Sequence, residues 1–147
     1  MFTRIVVGTD GSETAAEAVD RAVDLAKLSG AELNLVSAYA PVSRRRIQGE
    51  QQGAPADVQY EIGPREDVNL ILESAAASAK QKGLEVQIHP VEGSPVDAIL
   101  GVAEKTNADL IVVGNKGMTG AARFLLGSVP NNVSHHAPCS VMIVRTT

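Results

Sequence analysis

The sequence contains one cysteine, Cys139, and no tryptophan, and aromatic side chains make up only 3% of its 147 residues. A single cysteine excludes an internal disulfide framework and fits a reducing compartment. The scarcity of aromatic rings disfavours a single-strand-binding surface, because such surfaces stack bases on those rings. No apolar run approaches the roughly 20 residues that a membrane-spanning helix needs. We therefore expect a cytoplasmic protein that has no membrane partner.

Basic residues are also in the minority. Thirteen Lys and Arg residues stand against 17 Asp and Glu residues, which gives a net charge of −4. This balance argues against a nucleic-acid partner, because such proteins need a basic face to neutralise backbone phosphates. Small phosphorylated ligands are still compatible with it, since backbone amides can bind them. The length and the 44% hydrophobic content predict one globular domain over residues 1–147.

The apolar pattern alternates between strand-like and helix-like segments. Strands are predicted at 4–8, 33–39, 84–89, 110–113 and 140–144, and helices at 13–29, 66–82, 95–106 and 128–136. Ser94 followed by Pro95 is a typical helix start, and Gly30 is a typical helix end. Regular alternation predicts an α/β fold in which a doubly wound parallel sheet has helices on both faces. Residues 41–65 exceed a usual connection, so we interpret them as a long irregular loop or a lid.

Two glycine-containing turns follow predicted strands. The first begins at Gly8 and the second at Gly114, and after Gly117 there are nine residues before Gly127 and Ser128 open a helix. Main-chain amides in such turns and at a helix start form a phosphate cradle. Ligands of open α/β sheets sit beyond the carboxyl ends of strands, where the strand order reverses. If the first and fourth strands are neighbours, both turns face one crevice.

These motifs resemble the universal stress protein family over essentially the whole chain. Gly114, Gly117, Gly127 and Ser128 match, without a gap, the glycine pattern of its nucleotide-binding branch. The resemblance implies a Rossmann-like sheet of five parallel strands in the order 3-2-1-4-5, and a homodimer. It also implies binding of ATP, with AMP and cyclic AMP as alternatives and with Mg²⁺ as a companion ion held through the phosphates.

The resemblance also implies a position for each candidate residue. The glycine pattern and Val129 would surround ribose and phosphates, Thr9 and Asp10 would lie at the adenosine end, and Ala38 would line the base pocket. The candidate nucleotide-binding residues are Gly8, Thr9, Asp10, Ala38, Val113, Gly114, Asn115, Lys116, Gly117, Gly127, Ser128 and Val129. No catalytic residue and no metal site is predicted.

Several of these residues also have a purely structural interpretation. Asp10 either shapes the turn before the first helix or accepts a hydrogen bond from the ligand. Lys116 is either a solvated loop side chain or a counter-charge to phosphate. His135 and His136 suit a helix C-terminus and have no neighbours at metal-ligand spacing. Cys139 is interpreted as a small packed hydrophobe.

The last strand is apolar without alternation, although the final strand is expected at a sheet edge. Natural edges are normally shielded by charge or proline. An unshielded apolar edge indicates that a second copy of the chain covers it, so we expect a homodimer through residues 141–144.

The preferred functional interpretation is a nucleotide-dependent regulatory module of the stress response. The sequence contains none of the common phosphate-loop, dinucleotide-binding or nucleophile-elbow motifs. Three alternatives stay open: a slow ATPase or autophosphorylating enzyme, a member that binds cyclic AMP, and an interaction protein with an empty crevice.

Overall fold

The computed structural model describes residues 1–40, 65–115 and 128–146. Strands and helices alternate along the described ranges. The elements are β1 (Arg4–Gly8), α1 (Glu13–Ser29), β2 (Glu32–Tyr39), α2 (Arg65–Gln81), β3 (Val86–Glu92), α3 (Pro95–Thr106), β4 (Leu110–Gly114), α4 (Ser128–His136) and β5 (Ser140–Val144). The predicted loop or lid at 41–65 falls, except for Arg65, outside the described residues.

The five strands form one sheet in the order β3-β2-β1-β4-β5, and every neighbouring pair is parallel. This confirms the predicted fold class and strand order. β1 lies between β2 and β4, with Val7 opposite Val112 across the β1–β4 pair. The strand order therefore reverses between β1 and β4, which is where a ligand crevice is expected in such a sheet.

Each face of the sheet carries its own apolar core. On one face, Ile5 and Leu33 pack against buried residues of α1 and α2. On the other face, Val6 and Ile111 pack against buried residues of α3 and α4. Successive strand residues point to opposite faces, so strands covered on both sides are apolar throughout. None of the helices in the described ranges is both long and apolar enough to cross a membrane.

The predicted helix caps are present. The Ser12 side chain accepts a hydrogen bond from the Ala15 amide, and the Ser94 side chain accepts one from the Asp97 amide, both at 3.2 Å. Gly30 ends α1 in the left-handed conformation, at φ 71°. Each cap satisfies an amide or carbonyl that the helix itself leaves without a partner.

Strand β3 differs from its predicted bounds. The prediction of 84–89 followed the alternation of apolar and polar residues, whereas the strand in the structure begins at Val86. In the structure β3 continues to Glu92, and Pro90 lies opposite Ser37 of β2. Among the strands of the described residues β3 pairs with β2 alone, and a proline is tolerated on such an edge strand because its missing donor can face away from the partner strand.

Asp109 links β1 to β4 at the amino ends of these two strands, which is the end of the sheet away from the glycine turns. Its carboxylate accepts hydrogen bonds from the Thr3 amide at 2.8 Å and the Arg4 amide at 3.0 Å. Burial alone would raise the pKa of Asp109, but the hydrogen bonds from Arg4 and Thr3 outweigh it and lower the pKa. The carboxylate thus ties the start of β1 to the residue that precedes β4.

A polar pair lies on the α3 face of the sheet. Asn34 on β2 is fully buried, and its Oδ1 lies 2.9 Å from His89 Nε2 on β3. Burial and the nearby positive charge of Lys105 on α3 lower the pKa of His89 below 6.5. The folded protein therefore prefers neutral His89.

We expect the free energy of unfolding to decrease as pH falls below about 6.5. In that range the unfolded chain takes up a proton at position 89 that the folded protein resists, so acid favours unfolding. Urea unfolding at several pH values between 7.5 and 5.5 measures this. The His89→Gln variant should show a shallower decrease. His135→Gln, which changes an exposed histidine of α4, should retain the wild-type slope; equal slopes in all three proteins would contradict the prediction.

Candidate functional site

The carboxyl ends of β1 and β4 and the start of α4 border one crevice. Gly8, Val113, Gly114 and Val129 all line it. The structure thus brings together four predicted residues from three separate segments. Because β1 and β4 are direct neighbours, the two glycine-containing strand ends lie at the same edge of the sheet, as the crevice hypothesis required.

Gly8 allows α3 to approach the sheet at the floor of the crevice. A Cβ atom at this position would lie 2.6 Å from Ile99 Cδ1, which is closer than real contacts. Ile99 is buried and also lines the crevice. Because Gly8 has no side chain, the apolar side chain of Ile99 can lie close to the main chain of β1. The sequence marks Ile99 only as a core position of α3, so its place in the crevice was not predicted.

Thr9 and Asp10 make hydrogen bonds to other parts of the protein. The Thr9 amide donates to the Val36 carbonyl at 2.9 Å, and the Thr9 hydroxyl oxygen accepts from the Gly11 amide at 3.1 Å. Asp10 Oδ1 accepts from the Ser12 amide at 2.9 Å. Asp10 thus performs the turn-shaping role that the sequence allowed. The Thr9 amide is engaged and is not available to a ligand.

The first turn of α4 supplies donors to the crevice. Ser128 begins this helix, and Val129 and Pro130 line the crevice. The first amides of a helix have no partner inside it and carry a partial positive charge. Pro130 has no amide hydrogen, so Ser128 and Val129 are the donors that this first turn leaves without a partner inside the helix. The helix start therefore offers an anion fewer amide donors than the glycine pattern predicts.

Asn115 holds the residues that follow β5. Its amide donates to the Val144 carbonyl at 2.8 Å, and its Oδ1 accepts from the amide and the hydroxyl of Thr146 at 2.9 and 3.1 Å. Thr146 itself lines the crevice. The Asn115 amide is thus engaged by protein. Thr146 is a crevice residue that sequence reasoning missed, because no local pattern relates positions 115 and 146.

The other predicted residues lie either at the margin of the core or outside the described residues. Ala38 packs at the margin of the core on the α3 face, the same face as the crevice. Lys116, Gly117 and Gly127 lie outside the described residues. Among the described residues the site therefore consists of the two strand ends, the start of α4 and Thr146.

The remaining reactive side chains have structural roles or no partners at ligand distance. Burial and the charge of Asp109 raise the pKa of the Cys139 thiol, and the side chain packs against the core on the α3 face. His135 and His136 lie in the last turn of α4. Within residues 1–40, 65–115 and 128–146, no three His, Cys, Asp or Glu side chains are grouped as metal ligands.

Comparisons of this chain with known proteins agree on one family. A sequence model described as the universal stress protein family matches residues 1–145. The chain is 41% identical over 147 residues to universal stress protein Rv1636 of Mycobacterium tuberculosis strain H37Rv, covering 99% of this chain and 98% of that protein. It is 35% identical over 150 residues to universal stress protein YxiE of Bacillus subtilis, covering 99% of this chain and all (100%) of that protein.

A solved structure extends the similarity to three dimensions. The chain matches a universal stress protein crystallised in complex with cAMP, with a TM-score of 0.75 and 37% identity. The match covers 99% of this chain and 98% of that one. The similarity spans both proteins almost completely, so it includes the strand ends and the helix start that border the crevice.

Proposed function

Because the chain belongs to the universal stress protein family, we propose that it binds an adenine nucleotide in the crevice between β1 and β4. The observation that carries this proposal is the convergence of Gly8, Gly114 and Val129 on one crevice at the point where the strand order reverses. A relative with 37% identity was crystallised with cAMP, which supports an adenine nucleotide as the ligand class. ATP, with Mg²⁺ held through its phosphates, is the proposed form.

Hydrogen bonds at the start of α4 supply part of the free energy of phosphate binding. A hydrogen bond to a charged group contributes about 1.5–3 kcal/mol, and a helix start adds about 0.3–1 kcal/mol. The amides of Ser128 and Val129 then provide about 3–7 kcal/mol, against about 8 kcal/mol for a micromolar dissociation constant. Apolar contacts of the base and sugar with Ile99 and Val113 offset part of the entropy lost on association.

We also propose that the protein is a homodimer paired through β5. The two edges of the sheet differ. β3 contains Pro90, and a proline shields an edge against pairing, whereas β5 has the sequence Ser-Val-Met-Ile-Val without charge or proline. Met142 and Ile143 are 38% and 39% exposed. A second copy would pair with this edge and cover both side chains.

In this proposal the protein acts in the cytoplasm as a nucleotide-dependent module of the stress response. Occupancy of the crevice would be its signal, and the dimer would be the form that a partner protein recognises. In this proposal the protein binds the nucleotide, and slow hydrolysis is the alternative that a turnover assay with ATP would reveal.

Isothermal titration calorimetry with ATP, AMP and cAMP tests the proposed function directly. We expect micromolar dissociation constants for at least one of them and no binding of a pyrimidine nucleotide such as CTP. Native mass spectrometry of freshly purified protein should show two subunits and a retained nucleotide. If no adenine nucleotide binds at millimolar concentration, the proposal is wrong and the empty-crevice alternative replaces it.

A further inference from the structure

A second cavity, a groove between α1 and α2, lies on the face of the sheet away from α3 and α4. We propose that this groove binds an amphipathic helix of a partner protein. The proposal goes beyond nucleotide binding and does not depend on it, because the groove and the crevice are separate. Ser12, in the turn before α1, is the only described residue that lines both of them.

The groove has an apolar floor and a volume of about 480 Å³. The floor residues come from both helices, are buried or half-buried, and are Val19, Val23, Ile71, Ala75 and Ala79. Ligand pockets in proteins have volumes of about 300–1,000 Å³. The groove is therefore large enough to take several apolar side chains of a ligand.

The rim of the groove consists of two rows of residues spaced four apart. The row on the α2 side is Leu70, Ser74, Ser78 and Lys82, all exposed, and the row on the α1 side is Ser12, Ala16 and Asp20. Small side chains within both rows let another backbone approach closely. Pockets for small molecules bury about 70–90% of their ligand, which an exposed rim does not do. A rim of this spacing instead suits a helix, whose own ridges pack into such grooves.

The length of the groove also matches a helix. Its lining extends along α2 from Leu70 to Lys82, which is about 18 Å at the rise of an α-helix. An amphipathic helix with apolar residues at i, i+4, i+7 and i+11 presents them over about 16 Å. Leu70 is 64% exposed in the single chain. A docked helix would cover this side chain and remove its apolar surface from water.

Two opposite charges on the rim define the chemistry of the partner. Asp20 stands on the α1 side and Lys82 on the α2 side. Neither forms a salt bridge with another described residue. The partner helix should therefore carry a basic residue on one flank of its apolar stripe and an acidic residue on the other. Such exposed pairs add little affinity, but they discriminate between partners.

A synthetic peptide tests the proposal on the full chain without nucleotide. The probe is an alanine-based helix of about 20 residues, with leucines at i, i+4, i+7 and i+11. It carries an arginine on one flank of the leucine stripe and a glutamate on the other. Fluorescence anisotropy of the labelled peptide should show micromolar binding to the wild-type chain. The same peptide with glutamine in place of each leucine should not bind.

A substitution that fills the groove locates the binding site. Ser78→Phe places a large ring at the rim and should weaken peptide binding at least about tenfold. Ala77→Phe is the matched control, because position 77 is the neighbouring residue of α2, is exposed and does not line the groove. This control should bind the peptide like the wild type. Thermal unfolding of both variants shows whether each is folded.

A charge reversal tests the chemistry of the partner. Lys82→Glu should weaken binding of the arginine–glutamate peptide about threefold to tenfold. The same variant should bind a peptide with arginine on both flanks more tightly than the wild type does. Lys80→Glu makes the same charge change at an exposed position of α2 outside the groove. It should keep the wild-type preference between the two peptides.

The contrary outcomes are distinct from one another. A wild-type chain that does not bind the leucine peptide overturns the proposal, and uptake of the apolar dye ANS alone would indicate a small-molecule site instead. Peptide binding that survives in folded Ser78→Phe places the peptide elsewhere and also overturns it. A change in molar mass caused by Ser78→Phe, measured by light scattering, would make a second copy the occupant. None of these results bears on nucleotide binding, which calorimetry measures separately.

Discussion

Gly114→Asp should weaken ATP binding at least about 100-fold without unfolding the protein. The new carboxylate would stand at the strand end that borders the proposed phosphate position. Two unit charges at 4 Å repel by about 1 kcal/mol in water and about 4 kcal/mol at a partly buried site. With several phosphate charges, a loss of about 2.7 kcal/mol, or 100-fold, is a conservative expectation. Calorimetric titration with ATP measures it.

The fold is expected to tolerate this substitution. A Cβ atom at position 114 would meet Thr146 Cγ2 at 3.4 Å, which is an ordinary contact. Gly101→Asp is the matched control, because position 101 is exposed on α3 and has no heavy atom within 4 Å of its Cβ position. It adds the same charge away from the crevice and should leave ATP affinity unchanged.

The electrostatic origin of the loss can be checked with two further measurements. cAMP carries fewer charges than ATP, so its affinity for Gly114→Asp should fall by a smaller factor. Higher salt should reduce the loss, because ions screen the repulsion where the crevice is open to solvent. Wild-type ATP affinity in a folded Gly114→Asp variant would show that phosphate lies elsewhere.

Ile143→Lys should convert the proposed dimer to a monomer, with a dimer dissociation constant raised at least about 100-fold. Ile143 lies on the edge strand β5 and is 39% exposed in the single chain. Pairing of two copies would bury it, and lysine there would have to lose water from its charge. The dimer axis presents the same patch twice, so both copies carry the change. Size-exclusion chromatography with light scattering measures the mass.

Leu70→Lys is the control for a general effect of losing a surface apolar side chain. Leu70 is 64% exposed on α2, a helix that packs over β2 and β3 at the other end of the sheet. This variant should remain dimeric. If Ile143→Lys also remains dimeric at micromolar concentration, or if the wild type is a monomer, β5 is not the interface.

Much of the fold followed from local patterns. The buried runs that became β1 and β4 and the capped start of α3 were visible because apolar periodicity and cap residues act over a few positions. The predicted bounds of β3 were wrong because they depend on the neighbours of this strand in the sheet. Whether a strand continues through Pro90 depends on which side faces a neighbour, and only the sheet order decides that.

The candidate site was predictable to a smaller extent. Glycines at strand ends predicted Gly8 and Gly114 as crevice residues, and both line the crevice in the structure. The serine predicted the helix start at Ser128. These residue types report local backbone requirements. The commitment of the Thr9 and Asn115 amides to carbonyls of other strands was not visible. Their partners, Val36 and Val144, are distant in sequence.

By itself the sequence determined the alternation of strands and helices, the family resemblance and the edge of the sheet where a ligand would lie. These depend on composition, period and turn residues, which act within a few positions of one another. The tertiary structure alone decided that Ile99 forms the floor of the crevice and that Asn115 holds Thr146 in its wall. Such contacts join residues brought together by chain folding, and their energies depend on distances that no local pattern encodes.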